Sequence, residues 1–182
     1  MKNIQIFNGG WSYTNLEMSG LFKYIDLEQT YENYNIIEFG AGDSSKKIHS
    51  LFENIVNKLN YYIVECNEAY LPANKEAFNV ILYDEKNVEN VELSNYIDND
   101  IKFDLILVDG PNGDNRKHWY NKFKKFVKIG SIILVDDFNH YKSFGEELDN
   151  NYEYELLSYS NIPFVENGEH SWKIVKVINI LG

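Results

Sequence analysis

The chain has 182 residues, of which 44% are hydrophobic and 25% charged; this suffices for one substantial core under an ordinary polar surface. A net charge of −11 argues against a nucleic-acid backbone as the main partner, because that attraction depends on Lys and Arg. The single cysteine, Cys66, excludes an intrachain disulfide and fits a cytoplasmic compartment; Met1 to Gly10 lacks the basic-then-apolar order of a leader, and no apolar run is long enough to span a bilayer.

In chain order, Tyr13 to Asp26 predicts a helix burying Leu16, Leu21 and Ile25. Short, β-branched bursts follow at Asn35–Phe39, Tyr61–Val64, Asn79–Tyr83, Phe103–Val108 and Ser131–Val135. Such nearly continuous runs suit strands buried on both faces of a parallel sheet, with crossover helices between them. Asp43 or Ser44 can cap the first crossover helix, which carries Ile48, Leu51, Phe52, Ile55 and Leu59 on one face. Asn115 to Lys128 predicts another helix, with Trp119, Tyr120, Phe123 and Val127 at helical spacing and Gly130 placed to end it. Its lysines and Arg116 (with Lys117, Lys122, Lys124, Lys125 and Lys128) read as a solvated outer face. Tyr152–Tyr159 and Ser171–Ile180 read as a final strand pair joined by a loop containing Pro163, Asn167 and Gly168. No repeat or linker divides the chain, so 1–182 is expected to form one domain: segment 1–34 over the site and a core at 35–182.

The glycine turn at Glu38-Phe39-Gly40-Ala41-Gly42-Asp43-Ser44-Ser45 carries the chemistry. Gly-x-Gly at a strand end lets backbone approach a ligand, and the following helix offers free N–H groups. A dinucleotide site usually wants a third glycine, and Ser45 stands there instead. Glu38 would repel a pyrophosphate but suits an ammonium-bearing ligand such as S-adenosylmethionine. Glu65, at the tip of the second strand, can accept the hydroxyls of a ribose.

These stretches resemble the class I S-adenosylmethionine-dependent methyltransferases, from about Asn35 to the C-terminus. The resemblance implies an α/β, Rossmann-like, doubly wound, mostly parallel sheet with a C-terminal antiparallel strand pair. It implies cofactor contacts from Glu38, Gly40, Ala41, Gly42, Ser44, Glu65, Cys66 and Asp109, with Tyr83-Asp84 meeting the adenine. Phe103 to Pro111 looks like the fourth-strand motif, and Gly130 to Asp137 like the fifth. The last two are similar to those of small-molecule O-methyltransferases, some of which hold a divalent cation. Asp109, Asp136 and Asp137 match that ligand set, and three oxygens would suit Mg²⁺. The chain departs from it in Gly110-Pro111-Asn112-Gly113 and in Asp137, where Asn is commoner. Asp109 is the main catalytic candidate; His140 and His118 follow the fifth and fourth motifs and could take a hydroxyl proton. The aromatic, hydroxyl-bearing segment with Trp11, Ser12 and Thr14 is expected to help form a substrate pocket, and Arg116 could pair with an anionic substrate group.

The expected activity is methyl transfer to a small-molecule hydroxyl, such as a sugar or phenol, with neither membrane nor nucleic acid as partner. A nicotinamide-dependent oxidoreductase is the rival, opposed by Glu38, Ser45 and the lack of a convincing Tyr-x-x-x-Lys pair; a non-catalytic cofactor-binding subunit is another. The acceptor and the oligomeric state, a homo-oligomer included, lie in loops and surfaces that vary freely.

Overall fold

A computed structural model describes residues 13–111, 113–140, 142–164 and 168–182; Trp11, Ser12 and Asn112 lie outside them. The strands are β1 (Tyr31–Phe39), β2 (Val56–Glu65), β3 (Asn79–Leu82), β4 (Phe103–Val108), β5 (Val127–Asp136), β6 (Tyr152–Phe164) and β7 (Gly168–Ile180). They form one sheet in the order β3-β2-β1-β4-β5-β7-β6. β1 to β5 pair in parallel, and β7 runs antiparallel to both β5 and β6. The expected α/β sheet with a terminal antiparallel pair is what forms.

Strand alternation sorts the core into two layers. Ile36, Leu105, Leu107, Ile132, Leu134 and Ile174 face one side, where α1 (Asn15–Phe22) and α2 (Asp43–Phe52) contribute Met18, Leu21, Ile48 and Phe52. Ile37, Phe39, Ile106, Val108, Ile133 and Val175 face the other, against Trp119 and Phe123 of α3 (Lys117–Phe123) and Phe144 and Leu148 of α4 (Lys142–Asn151).

Several predicted boundaries move. Leu16 is 58% exposed, because α1 turns Met18 and Leu21 inward instead. Neither Asp43 nor Ser44 caps α2; Gly42 does, and the Ser45 hydroxyl accepts the Gly42 N–H at 3.1 Å. Ile55 and Leu59 lie beyond that helix, Leu59 within β2. The predicted helix at Asn115–Lys128 shrinks to α3 and a short 3-10 turn at Lys124–Phe126. β5 then starts at Val127, so Gly130 ends no helix. It sits inside β5 with φ of 92°, where the register against β4 shifts between Phe103 and Leu105. Glycine takes this left-handed conformation at the irregularity with little strain, and Ser131 bridges the gap by accepting from Lys128 N and donating to the Phe103 carbonyl. The crossovers β2→β3 and β3→β4 contain 3-10 turns and no α-helix. Val88, Leu93 and Ile97 from the second of these fill the core in a helix's place. The last two strands are longer than predicted and take in Pro163 and Gly168.

Where β1 and β4 end, their backbones touch. The Phe39 carbonyl accepts from both Asp109 N (2.8 Å) and Gly110 N (2.6 Å). Gly40 has φ of 91°, and a Cβ there would stand 2.7 Å from Gly110 N. The Trp119 indole donates to the Gly110 carbonyl at 3.1 Å and stacks on Phe39 with centroids 4.7 Å apart, which clamps the β4 exit from the other face. Gly40→Ala is expected to destabilise the fold by about 3 kcal/mol or more, since backbone must move. Gly130→Ala, with a similar φ but no atom within 4 Å, should cost only about 1–2 kcal/mol. Urea unfolding of the two variants separates the steric part from the conformational part.

Candidate functional site

The carboxyl ends of β2, β1, β4 and β5 gather the residues singled out by sequence. Glu65, 5% exposed at the end of β2, accepts the Ala41 N–H (2.7 Å) with one oxygen. Its other oxygen accepts Cys66 N and Asn67 N, both at 2.8 Å. Its carboxylate thus ties the tip of β2 to the glycine turn after β1. Cys66 lies beside it; burial first, then the Glu65 carboxylate, push its thiol up to about 11, which leaves it protonated. Tyr83 packs edge-on against Trp119 at 5.1 Å, next in line along the strand tips. Asp84 is exposed and caps its own turn through Lys86 N and the Asn87 amide. Ser44 is buried in the first turn of α2.

Glu38 is fully buried. Its Oε2 accepts the Tyr61 hydroxyl at 2.8 Å, while Oε1 has no hydrogen-bond partner. Burial pushes its carboxyl up to about 8, with hydrogen bonds from Ser45 and Tyr61 offsetting part of the shift and Asp109 and Glu65 adding to it. An orphaned acceptor in so dry a place is costly until a donor arrives.

Pleating puts Glu38, Asp109 and Asp136 on the same side of the sheet, the side covered by α1. Burial pushes Asp109 up to about 6, although the Arg116 guanidinium nearby holds it down. Asp136 is raised well above the usual carboxylate range, first by burial and then by Asp109, Glu17 and Asp137. Asp136 is hydrogen-bonded to both Asp109 and Glu17. Asp137, just past β5, has φ of 53°, a left-handed conformation that Asp and Asn tolerate best. His140 Nδ1 lies 3.4 Å from an Asp137 oxygen, so His140 joins the cluster. His118 does not: it pairs with Glu89 at 3.4 Å, in the stretch after β3.

Arg116 corrects two expectations, because it is neither on a solvated face nor presented to an acceptor. It is 4% exposed and donates through Nε to the Pro111 carbonyl (2.9 Å) and through NH1 to the Asp136 carbonyl (3.0 Å). NH2 stands 3.4 Å from Asp137 and 3.6 Å from Asp109. The guanidinium therefore fills the space between two of the three acids expected to bind Mg²⁺, and Asp136 Oδ1 accepts the Asp137 N–H. Among the described residues no group of three or more His, Cys, Asp or Glu side chains is arranged to hold a metal. These residues do not fit a divalent-cation centre.

Sequence reading missed three members of the site. Glu17 is buried on α1, and its Oε2 accepts Thr14 N and Oγ1 in a capping box. The Thr-x-x-Glu spacing was a legible signal for the cap, but not for burial over β5. Thr14 is thus the cap of α1. Tyr61 looked like an ordinary strand residue. Tyr13 is buried with its hydroxyl unpartnered; burial, then Asp109, Glu38 and Asp136, raise its pKa. Two surface cavities, of about 640 and 330 Å³, lie toward the other end of the sheet. The first is lined by Lys102, Lys122, Lys124 and Lys125. Neither contains the converging acids, which place the candidate site at the carboxyl ends.

No protein-family model matches the chain, and no curated protein matches it in sequence. Solved structures do share its architecture. An rRNA methylase from Streptococcus thermophilus superposes with a TM-score of 0.60 at 11% identity, over 92% of this chain and 98% of the other. Precorrin-6y C5,15-methyltransferase from Geobacter metallireducens GS-15 gives 0.60 at 14% identity, over 98% and 93%. The N-methyltransferase NodS from Bradyrhizobium japonicum WM9, in complex with S-adenosyl-L-homocysteine, gives 0.56 at 7% identity, over 90% and 86%. At these identities the likeness is one of fold: the chain has the Rossmann-like sheet of these methyltransferases.

Proposed function

We propose that this chain is an S-adenosylmethionine-dependent methyltransferase acting on a hydroxyl of a small molecule such as a sugar or phenol. The observation that carries the reading is the pairing, across one glycine turn, of the Glu65 carboxylate with the orphaned Glu38 oxygen. Glu65, held by three backbone N–H groups, keeps one lone pair, on Oε2, for a ribose hydroxyl. Glu38 offers its unpartnered oxygen to an ammonium group. Backbone of the Gly40–Gly42 turn can lie against the ligand because no side chain intervenes. Solved structures of the same fold that are methyltransferases support the reading. The cofactor, when bound, supplies an electrophilic methyl group on a sulfonium. Asp109 stands at the β4 tip between the turn and β5, where its carboxylate can take the proton of an acceptor hydroxyl. Its pKa near 6 leaves it mostly ionised at neutral pH. The α1 layer over the strand ends excludes water from these groups. A nicotinamide cofactor fits less well, because Glu38 is buried behind the turn where a pyrophosphate would approach.

Calorimetry is expected to show S-adenosylhomocysteine binding to the purified chain; silence at millimolar ligand would sink the proposal. Glu65→Gln, which sets an amide donor against backbone N–H groups, should weaken that binding about tenfold or more.

Glu38 makes a second expectation. The unfolded chain ionises it near the ordinary value of 4.5, whereas the folded chain keeps its proton to about pH 8. The folded state therefore holds an extra proton between those values, and stability contributed by this group falls as pH rises through that window. Glu38→Gln removes the loss: its Tm relative to the native chain should be about 5 °C more favourable at pH 8.5 than at pH 5. Equal differences at the two pH values would show that the buried carboxyl is not titrating as described.

A further inference from the structure

We infer that the larger cavity, at the amino ends of β4 and β5, is a second binding site, and that it takes a small molecule carrying a polyphosphate group, such as a nucleoside triphosphate. Its volume of about 640 Å³ matches a ligand of that size. It lies between Lys102, just before β4, the 3-10 turn at Lys124–Phe126, the start of β5 at Val127 and the end of β7 at Ile180. The six residues of β4 separate it from the acids at the carboxyl ends, a span of about 20 Å. The inference therefore does not depend on the methyltransferase reading.

Four lysines line this cavity, Lys102, Lys122, Lys124 and Lys125, against one acid, Glu92. The chain as a whole has 28 acids to 17 Lys and Arg, so a local excess of cations runs against its charge balance. Helical spacing explains a run of lysines along α3, but not Lys102, which arrives from a separate segment. Elsewhere lysines find carboxylates: Lys75 pairs with Glu68, Lys117 with Asp114 and Lys128 with Asp104. Among the described residues none of the four cavity lysines is ion-paired to a carboxylate.

Three of these lysines are nonetheless held in place. Lys122 Nζ donates to the Glu89 and Val91 carbonyls at 2.7 and 2.8 Å, and Lys102 Nζ donates to the Lys125 carbonyl. Lys125 Nζ stands 5.0 Å from the centre of the Phe126 ring. Carbonyls and ring faces fix an ammonium group without cancelling its charge. An ammonium has three N–H donors, so Lys102 and Lys122 keep some in hand, and Lys124 and Lys125 donate to no described group. The dipole at the end of α3 places only about half a negative charge there, which four ammonium groups far exceed. A polyphosphate supplies the missing charge in compact form, with several oxygens for those donors. Val127 and Ile180 give the same cavity an apolar wall, against which a base or sugar ring can lie. The net charge of −11 repels a long nucleic acid from the rest of the surface, whereas a small ligand meets chiefly the local field.

Calorimetric titration of the full-length protein with inorganic tripolyphosphate and with ATP tests this. Both should bind, and each affinity should fall about tenfold or more in the Lys124→Gln/Lys125→Gln double variant. Those two side chains anchor no described backbone group, so the variant keeps its fold. Lys102→Gln, from the other segment, should weaken binding in the same direction. A charge-matched variant at exposed lysines outside the cavity, Lys23→Gln/Lys58→Gln, should bind as the native chain does. ATP binding about tenfold tighter than tripolyphosphate would assign the cavity to a nucleotide, and equal binding to the polyphosphate group alone; either supports the inference. No binding of either ligand, affinities undiminished in Lys124→Gln/Lys125→Gln, equal losses in the two double variants, or binding confined to a single-stranded RNA oligonucleotide would each overturn it.

Discussion

The contact between the backbones leaving β1 and β4 is the constraint on which the rest depends. One carbonyl, that of Phe39, receives the N–H groups of both Asp109 and Gly110, and Gly40 lies so close to Gly110 that neither can carry a side chain. This closeness sets Asp109 beside Glu38 on one side of the sheet and lets the Ala41 N–H turn toward Glu65. On the opposite side, Trp119 holds the same loop through the Gly110 carbonyl. The strand ends thereby become a single rigid rim on which the functional groups are mounted.

Mounted on that rim is an electrostatic load that the fold tolerates rather than benefits from. Glu38, Asp109 and Asp136 are driven toward their protonated forms chiefly by burial; Asp109 adds to the shifts of Glu38 and Asp136, while Arg116 and the hydrogen bond with Asp136 hold Asp109 down in part. Arg116 offsets part of the load and braces the loop after β4 against the tip of β5. A structure that buries several acids together, with a carboxyl oxygen and a phenol unpartnered, carries a free-energy cost at this end of the sheet. Local stability is thus lower at these strand ends than in the apolar layers beneath them.

Much of this was legible from residues alone. Continuous β-branched runs marked all five parallel strands, because strands buried on both faces leave no polar position to blur the pattern. The Gly-x-Gly turn was legible because only glycine adopts the φ of Gly40 against neighbouring backbone. Other features were not. Gly130 read as a helix terminator, since a glycine after an amphipathic run has the same local chemistry whether it ends a helix or relaxes a bulge. Arg116 read as a surface cation, since its burial depends on Pro111 and on the tip of β5, twenty residues further along. Helices were expected in crossovers that turned out to hold only 3-10 turns, because core-filling residues such as Leu93 and Ile97 do not need helical spacing when the loop itself is packed.

The sequence by itself determined the sheet, its carboxyl-end turn and the identity of the acids that could surround a ligand. Those properties are local: alternation, a glycine's conformational freedom, a carboxylate at a strand tip. Only the tertiary structure decided which acids meet, that α1 brings Glu17 and Tyr13 over the ends of β4 and β5, and that Arg116 stands where a metal had been expected. Burial and pairing between residues far apart in the chain are settled by packing, and it is packing that turns a list of charged residues into one cluster at the strand ends.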